Sequence, residues 1–159
     1  LAEILRQLAQ VRDADNHFRH LLPEGSLYLW QDRLHCVPDV PLSRRPIAWD
    51  ARTPLAWSGG FLSLQASRET GLRAAPLAGK ILQIRPRQGG EALRPAPNRP
   101  RRPLKHLLRE ARIPPWQRER LPLIYLDDEF LACPGVAIAA DWQCRRGEMG
   151  LLPVFQQGG

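Results

Sequence analysis

Proline constrains this chain more than any other residue. It fills 16 of 159 positions, about twice the usual share of ~5%. Each proline fixes φ and lacks an amide donor, so it ends helices and is kept out of central strands. A long helical bundle or coiled coil is therefore excluded. The expected fold class is α+β, with a mixed or antiparallel sheet of short strands and a few short helices. Hydrophobic residues make up 43% of the chain, enough for a packed core. A chain of this length buries roughly two thirds of its unfolded surface, which argues against a disordered basic tail.

The local patterns place the elements. Leu1, Ile4, Leu5, Leu8 and Val11 form a helical stripe over residues 1–12. No capping residue precedes it and the first residue is Leu1, so the chain is expected to be a piece of a longer protein. Residues 13–25 are polar and end in the turn signal Pro23-Glu24-Gly25. Leu27–Trp30, Gln31-Asp32-Arg33 and Leu34–Val37 read as a hairpin. Pro38, Pro41 and Pro46, with Arg44-Arg45, make a linker-like boundary, dividing the chain at 50/51. Residues 54–85 are expected to be strands, clearest at Ile81–Ile84. Residues 94–103 hold four prolines and four arginines and are expected to be an exposed loop. Pro103 then opens a helix with Leu104, Leu107, Leu108 and Ala111 on its apolar stripe. Pro114-Pro115 ends it, and Trp116–Arg120 adds a helical turn. A second hairpin is expected at Leu123–Leu126 and Phe130–Ala132, with further strands at Val136–Ala139 and Leu151–Phe155.

Cys36, Cys133 and Cys144 are odd in number and widely spaced, so no disulfide framework is expected and a reducing cytosol is the simplest setting. His17, His20, His35 and Cys36 lack a complete ligand set at usual spacing, so no metal site is expected. No apolar run approaches the ~18 residues that cross a bilayer. Arg6 and Arg12 punctuate the only early apolar pattern, so no secretory leader is expected and the location is read as cytoplasmic.

Charge is concentrated. The chain carries 23 Lys plus Arg against 16 Asp plus Glu, a net of +7. Residues 80–120 hold 12 basic and 3 acidic residues, a net of +9, and the remainder nets −2. Lys105, Arg109 and Arg112 fall at i, i+4 and i+7 and are expected on one helix face. Arg101 and Arg102 lie beside the helix start, and Arg85 and Arg87 are expected on one side of a strand. Gly89-Gly90 removes side chains where another backbone could approach. Guanidinium groups suit phosphate because they donate two hydrogen bonds in a plane. One reading is a surface for a polyanion, most simply RNA phosphates; the other is an arginine-rich solvated face. Trp116 either stacks on a base or serves as a core or lid residue. Trp30, Trp49, Trp57 and Trp142 are assigned to the core.

Ser58-Gly59-Gly60-Phe61-Leu62-Ser63 is similar to the SGGxDS loop of PP-loop ATP pyrophosphatases, but Leu62 replaces the aspartate. It is read as a bend between strands. Asp127-Asp128-Glu129 is read as a turn. No catalytic residue is assigned.

Arg85-Pro86-Arg87-Gln88-Gly89-Gly90-Glu91, Leu104–Leu108, Ile113–Arg118, Leu121–Tyr125, Asp128-Glu129 and Pro134-Gly135-Val136, in this order, resemble the C-terminal domain of bacterial tRNA(Ile)-lysidine synthetases. The motif core spans 80–140. Residues 1–37 are similar to the end of the family's central substrate-binding domain. The resemblance implies a remnant of that domain with its linker over 1–50 and a C-terminal α+β domain over 51–159, of a fold shared with the phenylalanyl-tRNA synthetase β subunit. It implies a parent ligase that uses ATP and Mg in an N-terminal PP-loop domain outside this chain. That enzyme joins lysine to the wobble cytidine of an isoleucine tRNA. The implied partners are the tRNA body and acceptor stem and the PP-loop domain, with a homodimer also open. No cofactor is implied for this chain.

The resemblance carries over Arg85, Arg87, Lys105 and Arg118, with Gly89 and Gly90 as a structural loop. The candidate RNA-binding set is Arg85, Arg87, Arg94, Arg99, Arg101, Arg102, Lys105, Arg109, Arg112 and Arg118. Charge reversal at Lys105 and Arg109 is expected to weaken RNA binding more than at Arg44 and Arg45. The alternative is a protein-interaction or dimerisation domain with a solvated basic face, using Leu123–Leu131 as an exposed hairpin edge.

Overall fold

The computed structural model describes residues 1–10 and 18–158, with only the backbone described at 7–10. The expectations for Leu8, Val11, Arg12 and His17 therefore lie outside the described residues or side chains. Helix α1 (Ala2–Gln10) leaves Leu1 and Leu5 largely exposed.

A three-stranded antiparallel meander follows: β1 (Arg19–Leu22), β2 (Gly25–Trp30) and β3 (Arg33–Pro38). Gln31 and Asp32 turn β2 into β3 with φ of 50° and 60°, the left-handed pair that matches the natural twist of a two-residue hairpin. Strand β1 falls where the sequence reads only as polar, because Leu21 points to solvent and the alternation is short.

Residues 39–46 have no regular structure, but they are clamped at three points. Arg120 Nη2 donates to the Pro38 carbonyl at 3.0 Å. A Cβ on Gly59 would meet Val40 at 3.1 Å. The Ser43 N–H donates to Ser58 Oγ at 2.9 Å, and the Ser58 N–H donates to Ser43 Oγ at 3.0 Å.

The rest of the chain builds two larger sheets. The strands are β4 (Ile47–Trp49), β5 (Leu55–Trp57), β6 (Gly60–Arg68), β7 (Leu72–Arg73), β8 (Leu82–Arg85), β9 (Ala92–Leu93), β10 (Arg102–Pro103), β11 (Leu123–Leu126), β12 (Glu129–Cys133), β13 (Ala137–Ile138) and β14 (Met149–Gln157). The helices are α2 (Ala74–Leu77), α3 (Leu104–Glu110) and α4 (Pro115–Arg118), with a 3-10 turn at Ala140–Trp142. One sheet has the order β13-β12-β11-β8-β4, the other β5-β6-β14-β7, and β9 pairs with β10. The pairings described are antiparallel. The fold is α+β, as the proline spacing requires. Strand β4, on the N-terminal side of the 50/51 division, pairs with β8. Ser58-Gly59 forms the β5–β6 turn, with φ of 41° and 76°.

Four local expectations are corrected. The 94–103 segment ends in β10, because Arg102 and Pro103 pair with Leu93 and Ala92 at its far end. Pro103 stands outside α3 as its cap, and the helix stops at Glu110. Ala111 is thus exposed and not part of the stripe. The β11–β12 hairpin is no exposed edge: β8 and β13 flank it, and Leu123, Ile124 and Leu131 are fully buried.

Two apolar clusters form the core. Trp49, Trp57, Leu62, Leu72, Leu82, Ile84, Ile124, Leu131 and Ala132 belong to the first. Leu93, Leu104, Leu107, Leu108, Leu121, Leu123, Phe130 and Cys133 belong to the second. The β11–β12 hairpin supplies residues to both, and Phe155 packs against both. The meander contributes to neither. It docks through Trp116, whose ring lies 5.2 Å from Tyr28, 5.8 Å from Trp30 and 4.8 Å from His35. Of the tryptophans assigned to the core, Trp49 and Trp57 are buried. Trp30 sits half-buried in this seam, and Trp142 is half-buried with its Nε1 donating to Glu129.

Candidate nucleic-acid interface

The +9 segment begins where β8 ends. Arg85 Nε donates to Gln83 at 2.5 Å, and its Nη2 donates to the Asp127 carbonyl at 3.1 Å and to Asp128 at 2.9 Å. Its guanidinium carbon lies 4.1 Å from the Tyr125 ring centre, and Tyr125 stacks on Phe130 at 5.1 Å. Such a cation–π contact contributes about 0.5–2 kcal/mol. Burial pushes the Tyr125 phenol above its ordinary value, so the ring stays neutral beneath the cation.

Pro86 then stops the strand, so Arg87 lies beyond it and not on one strand side with Arg85. Arg87 Nε is 4.0 Å from Glu91, and this buried N–H has no hydrogen-bond partner among the described residues. The Glu91 carboxylate accepts from the Gln88 N–H at 2.8 Å and the Gly89 N–H at 3.1 Å. Gly89 and Gly90 have φ of +94° and +83°, and a Cβ on either would touch nothing within 4 Å. Glycine is needed here for its left-handed backbone, not for close approach of another chain segment.

The proline–arginine loop is tied down by its own cations. Arg94 donates to Asp141 at 2.8 Å, and Arg101 donates to the Ala92 carbonyl at 3.1 Å. Gln143 donates to the Pro95 carbonyl at 2.7 Å. Arg102 forms a two-pronged pair with Glu110, one bond measuring 2.8 Å, so it spans α3 from before its start to its last residue. This hydrogen bonding holds the Glu110 carboxyl below its ordinary range and raises Arg102. Arg118 Nε donates to the Ile113 carbonyl at 2.8 Å.

Leu104, Leu107 and Leu108 bury one side of α3, while Lys105 and Arg109 lie exposed on the other. Arg112 is not on the helix: it follows its end with φ of +54° and is exposed. Among the described residues, the side chains of Arg99, Lys105 and Arg112 make no ion pair or hydrogen bond. The ten candidates therefore divide. Arg85, Arg87, Arg94, Arg101, Arg102 and Arg118 have partners within the fold, Arg109 also has one, and Arg99, Lys105 and Arg112 are open to solvent.

A cleft of about 860 Å³ separates the 90–94 loop from the β11–β12 hairpin. Its wall carries Arg94 and Arg101, but also Asp127, Asp128, Glu129 and Asp141. That carboxylate excess repels phosphate, whereas the exposed side of α3 carries Lys105 and Arg109. Arg120, absent from the sequence-derived set, is the clamp on Pro38. Its partner is 82 positions away, and no local pattern signals such a contact. Among the described residues, no group of three or more His, Cys, Asp or Glu is placed to hold a metal ion, and no helix is long and apolar enough to cross a membrane.

Comparison with known proteins extends the geometry. Residues 82–154 match the family described as the TilS substrate C-terminal domain. The chain is 34% identical to the tRNA(Ile)-lysidine synthase of Nitrosomonas europaea over 96% of its own length and 34% of that protein. It is 37% identical to the tRNA(Ile)-lysidine synthase of an Azoarcus species over 98% of its own length and 34% of that protein. A third relative of the same name, from Chromobacterium violaceum, is 37% identical over 87% of the chain and 32% of that protein. The chain thus spans about a third of the length of these relatives. In its ordered motifs, its α+β fold and its similarity over nearly the whole chain, it is recognised as similar to the C-terminal part of bacterial tRNA(Ile)-lysidine synthetase.

Proposed function

We propose that this chain is the tRNA-holding part of a lysidine-forming ligase, and that it positions an isoleucine tRNA while chemistry occurs in a separate ATP-dependent domain. The observation that carries the reading is the division of cations in the +9 segment. Internally paired arginines stiffen the 85–102 loop and the ends of α3, and Arg99, Lys105 and Arg112 project from that rigid base without partners. Rigid presentation matters because phosphate contacts position an RNA without reading its sequence, and orientation of a bound substrate lowers a reaction barrier. The chain alone is expected to bind tRNA weakly and with little selectivity.

The test is tRNA titration at several salt concentrations. With four to six phosphate contacts, log K falls against log salt with a slope of roughly −3 to −5. The double variant Lys105→Glu, Arg112→Glu makes the slope shallower by about 2. No tRNA binding at low salt, or a slope near zero, refutes the proposal.

A further inference from the structure

A second cationic surface lies away from α3. A cleft of about 590 Å³ opens between the meander, the clamped 39–46 segment and the loop after β8. Arg19, Ser43, Arg44, Arg87, Gln88 and Glu119 are among its lining residues. The three guanidinium groups come from three chain segments that no sequence window unites.

Each wall is fixed before any ligand arrives. Arg19 Nε donates to Ser26 Oγ at 3.3 Å, and its guanidinium lies 5.7 Å from the Tyr28 ring centre. The reciprocal Ser43–Ser58 bonds set the backbone next to Arg44, whose exposed side chain makes no ion pair or hydrogen bond among the described residues. Glu91 holds the amides of Gln88 and Gly89, so Arg87 presents from an ordered loop. Its Nε–H is buried beside Glu91 at 4.0 Å without a hydrogen bond, and the residue lines the cleft.

The charge balance selects the anion. Three guanidinium groups face Glu119 in the lining and Glu91 behind Arg87, a balance of +1. That matches a phosphodiester, which carries one negative charge, better than free phosphate or a terminal phosphate, which carries about −1.5 to −2. We infer that the Arg19–Arg44–Arg87 cleft is a second RNA contact that seats one backbone phosphodiester of the bound tRNA, distinct from the α3 face. The inference rests on the tRNA-holding function proposed above. It gives Arg44, placed by sequence in a linker, a binding role.

The experiment uses the 159-residue chain in two arms. In the first, tRNA is titrated against wild type, Arg44→Glu and Lys105→Glu, Arg112→Glu over a salt series, with the amide NMR spectrum verifying the fold of each. Arg44→Glu is expected to weaken binding about three- to tenfold and to make the salt slope shallower by about 1. In the second, the Arg87 Nε–H resonance is followed as tRNA or inorganic phosphate is added. It is expected to shift saturably with tRNA, and only at far higher concentration with inorganic phosphate. If Arg44→Glu binds as wild type while the Lys105/Arg112 variant weakens, the cleft is not an RNA site and the tRNA reading stands. If inorganic phosphate shifts the Arg87 signal as readily as tRNA does, the cleft is a free-anion site and the inference is overturned. If wild type fails to bind tRNA at low salt, both readings fall.

Discussion

Trp116→Ala isolates what holds the meander to the rest of the protein. Trp116 is half-buried and contacts the rings of Tyr28, Trp30 and His35 at 5.2, 5.8 and 4.8 Å. Keeping ~100 Å² of its apolar surface from water contributes roughly 2.5 kcal/mol at ~25 cal/mol/Å². Each aromatic pair adds about 0.5–1.5 kcal/mol beyond burial. Full truncation of a core aromatic costs about 3–5 kcal/mol, so about 3 kcal/mol is a reasoned figure for a site that keeps some exposure. Another tie in the seam, Arg120 to the Pro38 carbonyl, is untouched by the change. The lost energy therefore falls on docking of the meander and not on either core cluster, to which Trp116 does not belong. Hydrogen exchange read by mass spectrometry is the assay. Loss of about 3 kcal/mol accelerates exchange of β2–β3 about 100-fold, while β11–β12 keeps its wild-type rate. Unchanged exchange in β2–β3, or an equal rise in both regions, refutes the account of the seam.

Two glycines separate backbone conformation from space. Gly90→Ala costs about 1–2 kcal/mol because φ is +83°, although the methyl meets nothing. Gly150→Ala costs more at an ordinary φ, because its methyl collides with the Thr70 carbonyl oxygen. Urea midpoints compare them, and a greater loss at Gly90 contradicts the distinction. Burial pushes the Cys133 thiol up to about 12, so iodoacetamide at pH 8 should label exposed Cys36 and spare Cys133. The unfolded thiol ionises first, so Cys133 lowers stability as pH rises from about 8.5 toward about 12. Cys133→Ala should flatten that alkaline loss, and an unchanged pH profile would contradict the assignment.

Much of the fold was legible because its signals are local. The leucine stripe of α3, the proline–arginine loop and the turns at Gln31-Asp32 and Asp127-Asp128 are written within a few residues of one another. Strand β1 was missed because Leu21 faces solvent and Arg19 and His20 carry no strand pattern. The end of α3 was misplaced because i, i+4, i+7 spacing persists to Arg112 while the backbone has already turned left-handed. The interface was harder to read. Counting charge locates the +9 segment, but it does not tell a committed guanidinium from an open one. Arg85 and Asp128 stand 43 positions apart, and Arg94 and Asp141 stand 47 apart. Such pairs depend on the sheets that bring the two segments together. The cleft of Arg19, Arg44 and Arg87 was illegible for the same reason.

The β11–β12 hairpin supplies side chains to both apolar clusters. An ordinary surface hairpin has one forgiving face, where polar replacements drift freely from one relative to the next. This one has none over Leu121–Ile124 and Phe130–Pro134, all of them buried. Ile124, Leu131 and Ala132 answer to the first cluster and Leu121, Leu123, Phe130 and Cys133 to the second, so a change on either face meets a packed core. Its tip, Asp127-Asp128-Glu129, is exposed, and that tip is where Arg85 reaches across to bind. The stretch least able to change thus carries at its end the segment that braces the start of the basic loop.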